Sequence, residues 1–198
     1  MELDDLKLCY LFIKTGETAS EEKLKALENA KTKSKLSDFE MQNFDEFCHY
    51  ITDSKDAAKR LLTMLPKLKK QSKKSVGMEA FFDTMNDTLH PTYESRLRNT
   101  PERAREVLFT LIGITSCDKE QCEQDKDFIN DFALRMNIDE SYIHEFKDII
   151  KTQRTLYAKH ERAKDTCNSD EDSEELLKQC DADLKVLEKD INDLIQLG

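Results

Sequence analysis

Two thiols, Cys117 and Cys122, stand five residues apart in TSCDKEQCEQDKDF (115–128), among five carboxylates. Thiols and acids at such spacing could hold a metal, form a reversible disulfide or open a helix. Zinc asks for four nitrogen or sulfur ligands in a tetrahedron, and no second cysteine pair or nearby histidine completes one in the local sequence. A redox pair asks for a thiolate favoured by positive surroundings, whereas carboxylates raise a thiol's pKa. A calcium loop of the EF-hand type fails too, because the twelfth position counted from Asp118 is Ile129, where a glutamate is required. Carboxylates in the first turn of a helix meet the positive end of its dipole, so Asp118 to Asp127 read as a helix start.

The remaining reactive residue types do not gather. His49, His90, His144 and His160 are each isolated, and no serine or cysteine sits in a recognisable nucleophile turn. Glycine-rich phosphate loops are absent. The expectation is a protein that is not an enzyme, with no catalytic, cofactor-binding or metal-ligating set. One stretch could act by charge alone. KRLLTMLPKLKKQSKK (59–74) carries seven cations and no acid. It could dock on an anionic membrane or nucleic acid, with Lys67, Lys69 and Lys70 as contacts, or it could be a solvated helix end. No aromatic residues interleave with its cations, as single-stranded nucleic acid would favour.

The elements that must position these residues are helical. Only 4 Gly and 3 Pro occur in 198 residues, and 36% of residues are charged, which starves turn-rich β architectures and suits long wet helices. The fold class expected is all-α: a single domain, 1–198, of about eight to nine helices in a bundle. Ten Phe and a hydrophobic fraction of 38% argue for a core, although a mean hydropathy of -0.72 leaves most helix faces in water. No apolar run is long enough to span a bilayer, and MELDDLKLCYLF is acidic where a secretory signal would be basic. Six cysteines without a CxxC motif fit a reduced compartment, so a cytoplasmic location is expected. The net charge of -10 speaks against nucleic acid as the main partner.

Apolar spacing predicts helices over about 3–14, from Ser20, and from the capping box at Ser37 and Glu40, with Phe44, Phe47, Cys48 and Ile51 on one side. It predicts a helix over 54–73 kinked at Pro66, a shorter one over 77–89, a loop over 91–99, and a helix capped by Thr100 with Pro101 at its first position. DKDFINDFALRM ends at Asn137, and Asp139 caps a helix to about 165. A last helix over 170–197 carries a heptad seam of Leu177, Cys180, Leu184, Leu187, Ile191 and Leu194. Asp181, Asp183, Glu188 and Asp190 flank it, so self-pairing would set acid against acid and a monomer is expected. The better partner is the preceding helix, whose seam reads Ile143, Phe146, Ile150, Gln153, Tyr157 and His160. An antiparallel hairpin folded at 166–169 would pair Arg154 with Asp181 and Lys147 with Glu188. Such exposed pairs contribute ~0.2–1 kcal/mol each and select register.

The first half (1–75) and the second (76–165) also align at an offset near 100, with the C-terminal helix (166–198) packed on helix 139–165. Leu8 and Leu11 fall on Leu108 and Leu111, and Phe47, Tyr50 and Ile51 on Phe146, Ile149 and Ile150. The segments LFIKTGETASEEKLKAL and LIGITSCDKEQCEQDKDFI resemble the two acidic turns of the tellurite-resistance TerB-like family. The first keeps Gly16, Ser20, Glu21, Glu22 and Lys23 but has Thr15 where that family has aspartate. In the second, Asp118 matches that aspartate, Lys119 replaces the glycine and Asp125 stands for the later glutamate. The resemblance implies two pseudo-symmetric helical halves, a role in stress response through a protein partner, and residual cation binding at Glu22, Asp118 and Asp125. The lost aspartate and glycine remove a ligand and the tight turn that would aim carbonyls at a hard cation.

Overall fold

The computed structural model describes residues 1–15, 20–53, 83, 86, 88–117, 123–166 and 171–197. Among these the protein is all-α, with eight helices and no strand. The expected helices over 54–73 and 77–89, the Pro66 kink, Lys67, Lys69, Lys70, Asp118 and Cys122 lie wholly or mainly outside the described residues. The contacts divide the chain into two units, Met1–Ile143 and His144–Gly198.

In the first unit, α1 (Leu3–Thr15) is buried on almost every side, through Leu6, Leu8, Cys9, Tyr10, Leu11, Phe12 and Ile13. A helix apolar all round belongs at the centre of a bundle. Helix α2 (Glu21–Lys33) starts at Ser20, whose hydroxyl accepts from the Lys23 amide at 3.3 Å. Helix α3 (Asp38–Asp53) opens with the expected capping box: Glu40 accepts from the Ser37 amide at 2.9 Å, and Ser37 Oγ accepts from the Glu40 amide at 3.4 Å.

The stretch read as a loop over 91–99 instead contains α4 (Tyr93–Arg98). Tyr93 and Leu97, one turn apart, are both fully buried, and this packing holds a six-residue helix too short to stand on propensity alone. Thr100 precedes α5 (Pro101–Thr115), with proline at its start as expected, but its side chain does not cap that helix. The hydroxyl donates backward to the Arg96 carbonyl at 3.1 Å and so finishes α4.

Helix α6 (Glu123–Arg135) begins with Glu123 and Asp125 in its first turn. It ends at Asn137, whose φ of 56° is the left-handed conformation of a helix terminator, and the Ile138 amide reaches back to the Ala133 carbonyl at 2.8 Å. Helix α1 packs on α2, α3 and α5, while α5 also meets α2, α4 and α6. Leu8, Leu11, Leu108 and Leu111, equivalent by the repeat offset, are all fully buried. Truncating any of them to alanine costs about 2–5 kcal/mol.

The second unit holds most of α7 (Glu140–Thr166) and all of α8 (Glu171–Gln196). Asp139 accepts from the Ser141 amide at 2.9 Å and starts α7. Cys180, Ile191 and Ile195 on α8 and Phe146, Ile150 and Ala163 on α7 are buried. Tyr157, placed on the seam by heptad spacing, is 44% exposed. Leu156, one position earlier, is half-buried, as the drift of a 3.6-residue helix against a 3.5-residue repeat produces over several turns. One bridge between the helices joins His160 Nε2 to Asp181 Oδ1 at 3.2 Å. Asp181 is thus met six residues further along α7 than Arg154, the partner expected from sequence.

Candidate functional site

The acidic turns meet through a buried ion pair. Lys23 Nζ donates to Asp125 Oδ2 at 3.2 Å, with only 2% and 3% of the two side chains exposed. Each is the third residue of its helix, Lys23 of α2 and Asp125 of α6, and the two are 102 residues apart in sequence. The first turns of α2 and α6 therefore touch. The carboxylate is stabilised twice, by the ammonium and by the positive end of α6. The ammonium faces the unfavourable end of its own helix dipole, so it depends on the carboxylate opposite.

Of the three residues that the TerB resemblance assigns to a cation, Glu22 is exposed on α2, Asp118 lies outside the described residues, and Asp125 is engaged by Lys23. A side-chain cation occupies the carboxylate where a metal would bind. Among the described residues no three histidine, cysteine or acidic side chains gather in a metal-binding group.

A second buried cluster ties α1 to α4 and α5. Asp5 is fully buried. It accepts from Arg103 Nη2 at 2.8 Å and Nε at 3.0 Å, from the Tyr93 hydroxyl at 3.1 Å and from the Glu2 amide at 2.7 Å. The Arg103 guanidinium also lies 5.8 Å from the centre of the Tyr93 ring and 2.6 Å from Glu2 Oε2. Burial, then the Asp5 charge, push the Tyr93 hydroxyl well above its ordinary pKa. Burial pulls the Arg103 pKa down, but its hydrogen bonds and charge contact with Asp5 outweigh that and leave it raised. Beside this cluster, Glu94 takes Arg135 through Nε at 2.8 Å and Nη2 at 3.0 Å, fastening α4 to the end of α6.

Two thiols, Cys9 and Cys48, are held in their neutral form. Burial, then Asp5, raise Cys9 far above the range of a free thiol, and burial, then Asp45, push Cys48 up to about 12. Such groups are poor nucleophiles near neutrality. Cys117 donates to the Gly113 carbonyl at 3.4 Å. The histidines stay apart: His90 lies against Thr92 at 3.0 Å, His160 pairs with Asp181, and His49 and His144 are exposed. Two surface hollows, of about 370 Å³ along Asp148–Lys159 of α7 and about 340 Å³ beside Glu94 and Arg98, are lined by neither histidine nor cysteine among the described residues.

Sequence reasoning placed Lys23 and Asp125 in matching motifs without pairing them, and passed over Asp5, Tyr93 and Arg103. The available signal was a charge on an apolar stripe. Asp5 precedes Cys9 by one turn, Lys23 precedes Leu27, and Asp125 precedes Phe128 and Ile129. A charge in that position must find a buried partner. Comparison of the chain with known family models, with curated proteins and with solved structures finds no match.

Proposed function

We propose that this chain is a non-catalytic cytoplasmic helical module, similar to TerB-like proteins, that works in a stress response by binding another protein. The observation that carries the reading is the Lys23–Asp125 pair. The carboxylate that the resemblance would give to a cation neutralises an ammonium from the other half, and so acts as a clamp within the fold. The same economy holds at Asp5, whose oxygens are taken by Arg103 and Tyr93. Large apolar side chains are meanwhile left in solvent, Phe39 at 75% and Leu134 at 80% exposure, and exposed aromatic and aliphatic anchors are what a protein partner engages.

The test is affinity capture by the intact chain from its native cells, followed by rebinding of the purified partner at a defined stoichiometry. A parallel melt with calcium or magnesium at millimolar concentration is expected to leave Tm unchanged, since a ligand that binds only the folded state would raise it. Failure to rebind any captured protein, or a cation-dependent rise in Tm, would overturn the reading.

A further inference from the structure

The exposed face of α3 has the form of a docking strip. Phe39 and Tyr50 are 75% and 54% exposed. They are eleven residues apart, which places them about 20° from each other around the helix and about 16.5 Å apart along it. Glu46 falls between them on the same side and accepts from the Gln42 amide at 2.9 Å. The core side of α3 is elsewhere, at Phe44 and Ile51. Phe44 meets Tyr10 edge-on at 6.2 Å. The two outer aromatics therefore contribute little to the bundle.

Charge identifies the occupant. Helix α3 carries Asp38, Glu40, Asp45, Glu46 and Asp53 and has neither lysine nor arginine. Glu40 is committed to its cap at Ser37, and Asp45 to Lys31 at 2.7 Å. Glu46, beside the aromatics, meets no cationic side chain among the described residues. A second copy of α3 would bring acid against acid, whereas a cationic helix would match both the carboxylate and the rings, which also attract cations. We infer that α3, through Phe39, Glu46 and Tyr50, docks a lysine- or arginine-rich amphipathic helix of a partner protein, laid with its apolar residues on the two aromatic side chains. The inference rests on the interaction-module reading and gives that module its binding surface.

The probe is a labelled 18-residue amphipathic peptide of leucine and lysine, with the same peptide carrying glutamate for lysine as control. Fluorescence anisotropy with the full chain is expected to show binding of the cationic peptide alone. Phe39→Ser with Tyr50→Ser is expected to weaken it at least tenfold, and Glu46→Lys, which leaves the aromatics in place, to weaken it severalfold. Leu134→Ser, an equally exposed site on another helix, leaves it unchanged. Equal binding by the serine double variant and the wild type overturns the assignment, as does binding of the glutamate peptide. So does a dimer in sedimentation that the double variant abolishes, because the occupant is then a second copy. If the double variant still captures the native partner as well as the wild type, the α3 assignment falls while the module reading stands. If the cationic peptide binds through α3 but no native protein rebinds, the module reading falls and the surface chemistry stands.

Discussion

The two units use charge in opposite ways. In Met1–Ile143 the decisive ionic contacts are buried and join residues far apart in sequence, Lys23 with Asp125 and Arg103 with Asp5. In His144–Gly198 the ionic contacts among the described residues reach solvent through their carboxylates. Lys164 meets Glu161 three residues away, and His160 meets an Asp181 that is 59% exposed. A buried charge must find its partner or carry a desolvation penalty of several kcal/mol, so it specifies which helices come together. An exposed one only biases the register of helices that apolar residues already hold.

Breaking the deepest pair should produce the largest effect. Lys23→Met removes the ammonium that faces the buried Asp125 carboxylate and is predicted to cost about 3–5 kcal/mol in urea unfolding. The double variant Lys23→Met with Asp125→Leu should recover much of that loss, because two apolar side chains need no mutual neutralisation. Failure of the double variant to recover would mean that the pair is not what joins α2 to α6. Next comes Tyr93→Phe, which removes one hydrogen bond to a buried carboxylate and should cost about 1.5–3 kcal/mol.

A smaller and pH-dependent effect belongs to Cys9. An unfolded thiol ionises near pH 8.5, whereas this thiol keeps its proton in the folded chain. Above pH 9 the folded state therefore binds more protons than the unfolded one, and stability must fall as pH rises. The slope reaches about 1.4 kcal/mol per pH unit for one such thiol and vanishes below about pH 8. Unfolding curves at pH 7.5, 9 and 10 should show the decline, and Cys9→Ala should lessen it, leaving the share that belongs to Cys48. The smallest effect is expected in the second unit. A double-mutant cycle on His160 and Asp181 should return a coupling of about 1 kcal/mol or less. A value near that of the Lys23 pair would erase the contrast between the units.

Much of this architecture could be read beforehand, and the reasons differ by element. The capping box at Ser37, the serine cap at Ser20 and the left-handed stop at Asn137 are local chemistry, written in neighbouring residues. The burial of Leu8, Leu11, Leu108 and Leu111 follows from apolar periodicity. The helix at Tyr93–Arg98 escaped, because only tertiary burial of Tyr93 and Leu97 makes six residues helical. The contact of His160 with Asp181 was not legible, since weak exposed charges do not reveal which side chain apolar packing will bring opposite. At the acidic turns the sequence displayed both members of the clamp as parts of a repeated motif. Their pairing depends on how one half crosses the other, which no local pattern encodes.

The meeting of two third-position residues also bears on how such a chain could be rebuilt. On the repeat expected from the sequence, two copies of the first half joined in tandem would confront ammonium with ammonium at that junction, and two copies of the second would confront carboxylate with carboxylate. The halves are thus complementary rather than interchangeable, like a plug and its socket. A gene-shuffling experiment that duplicated either one would have to carry a charge reversal in one copy before the product could close.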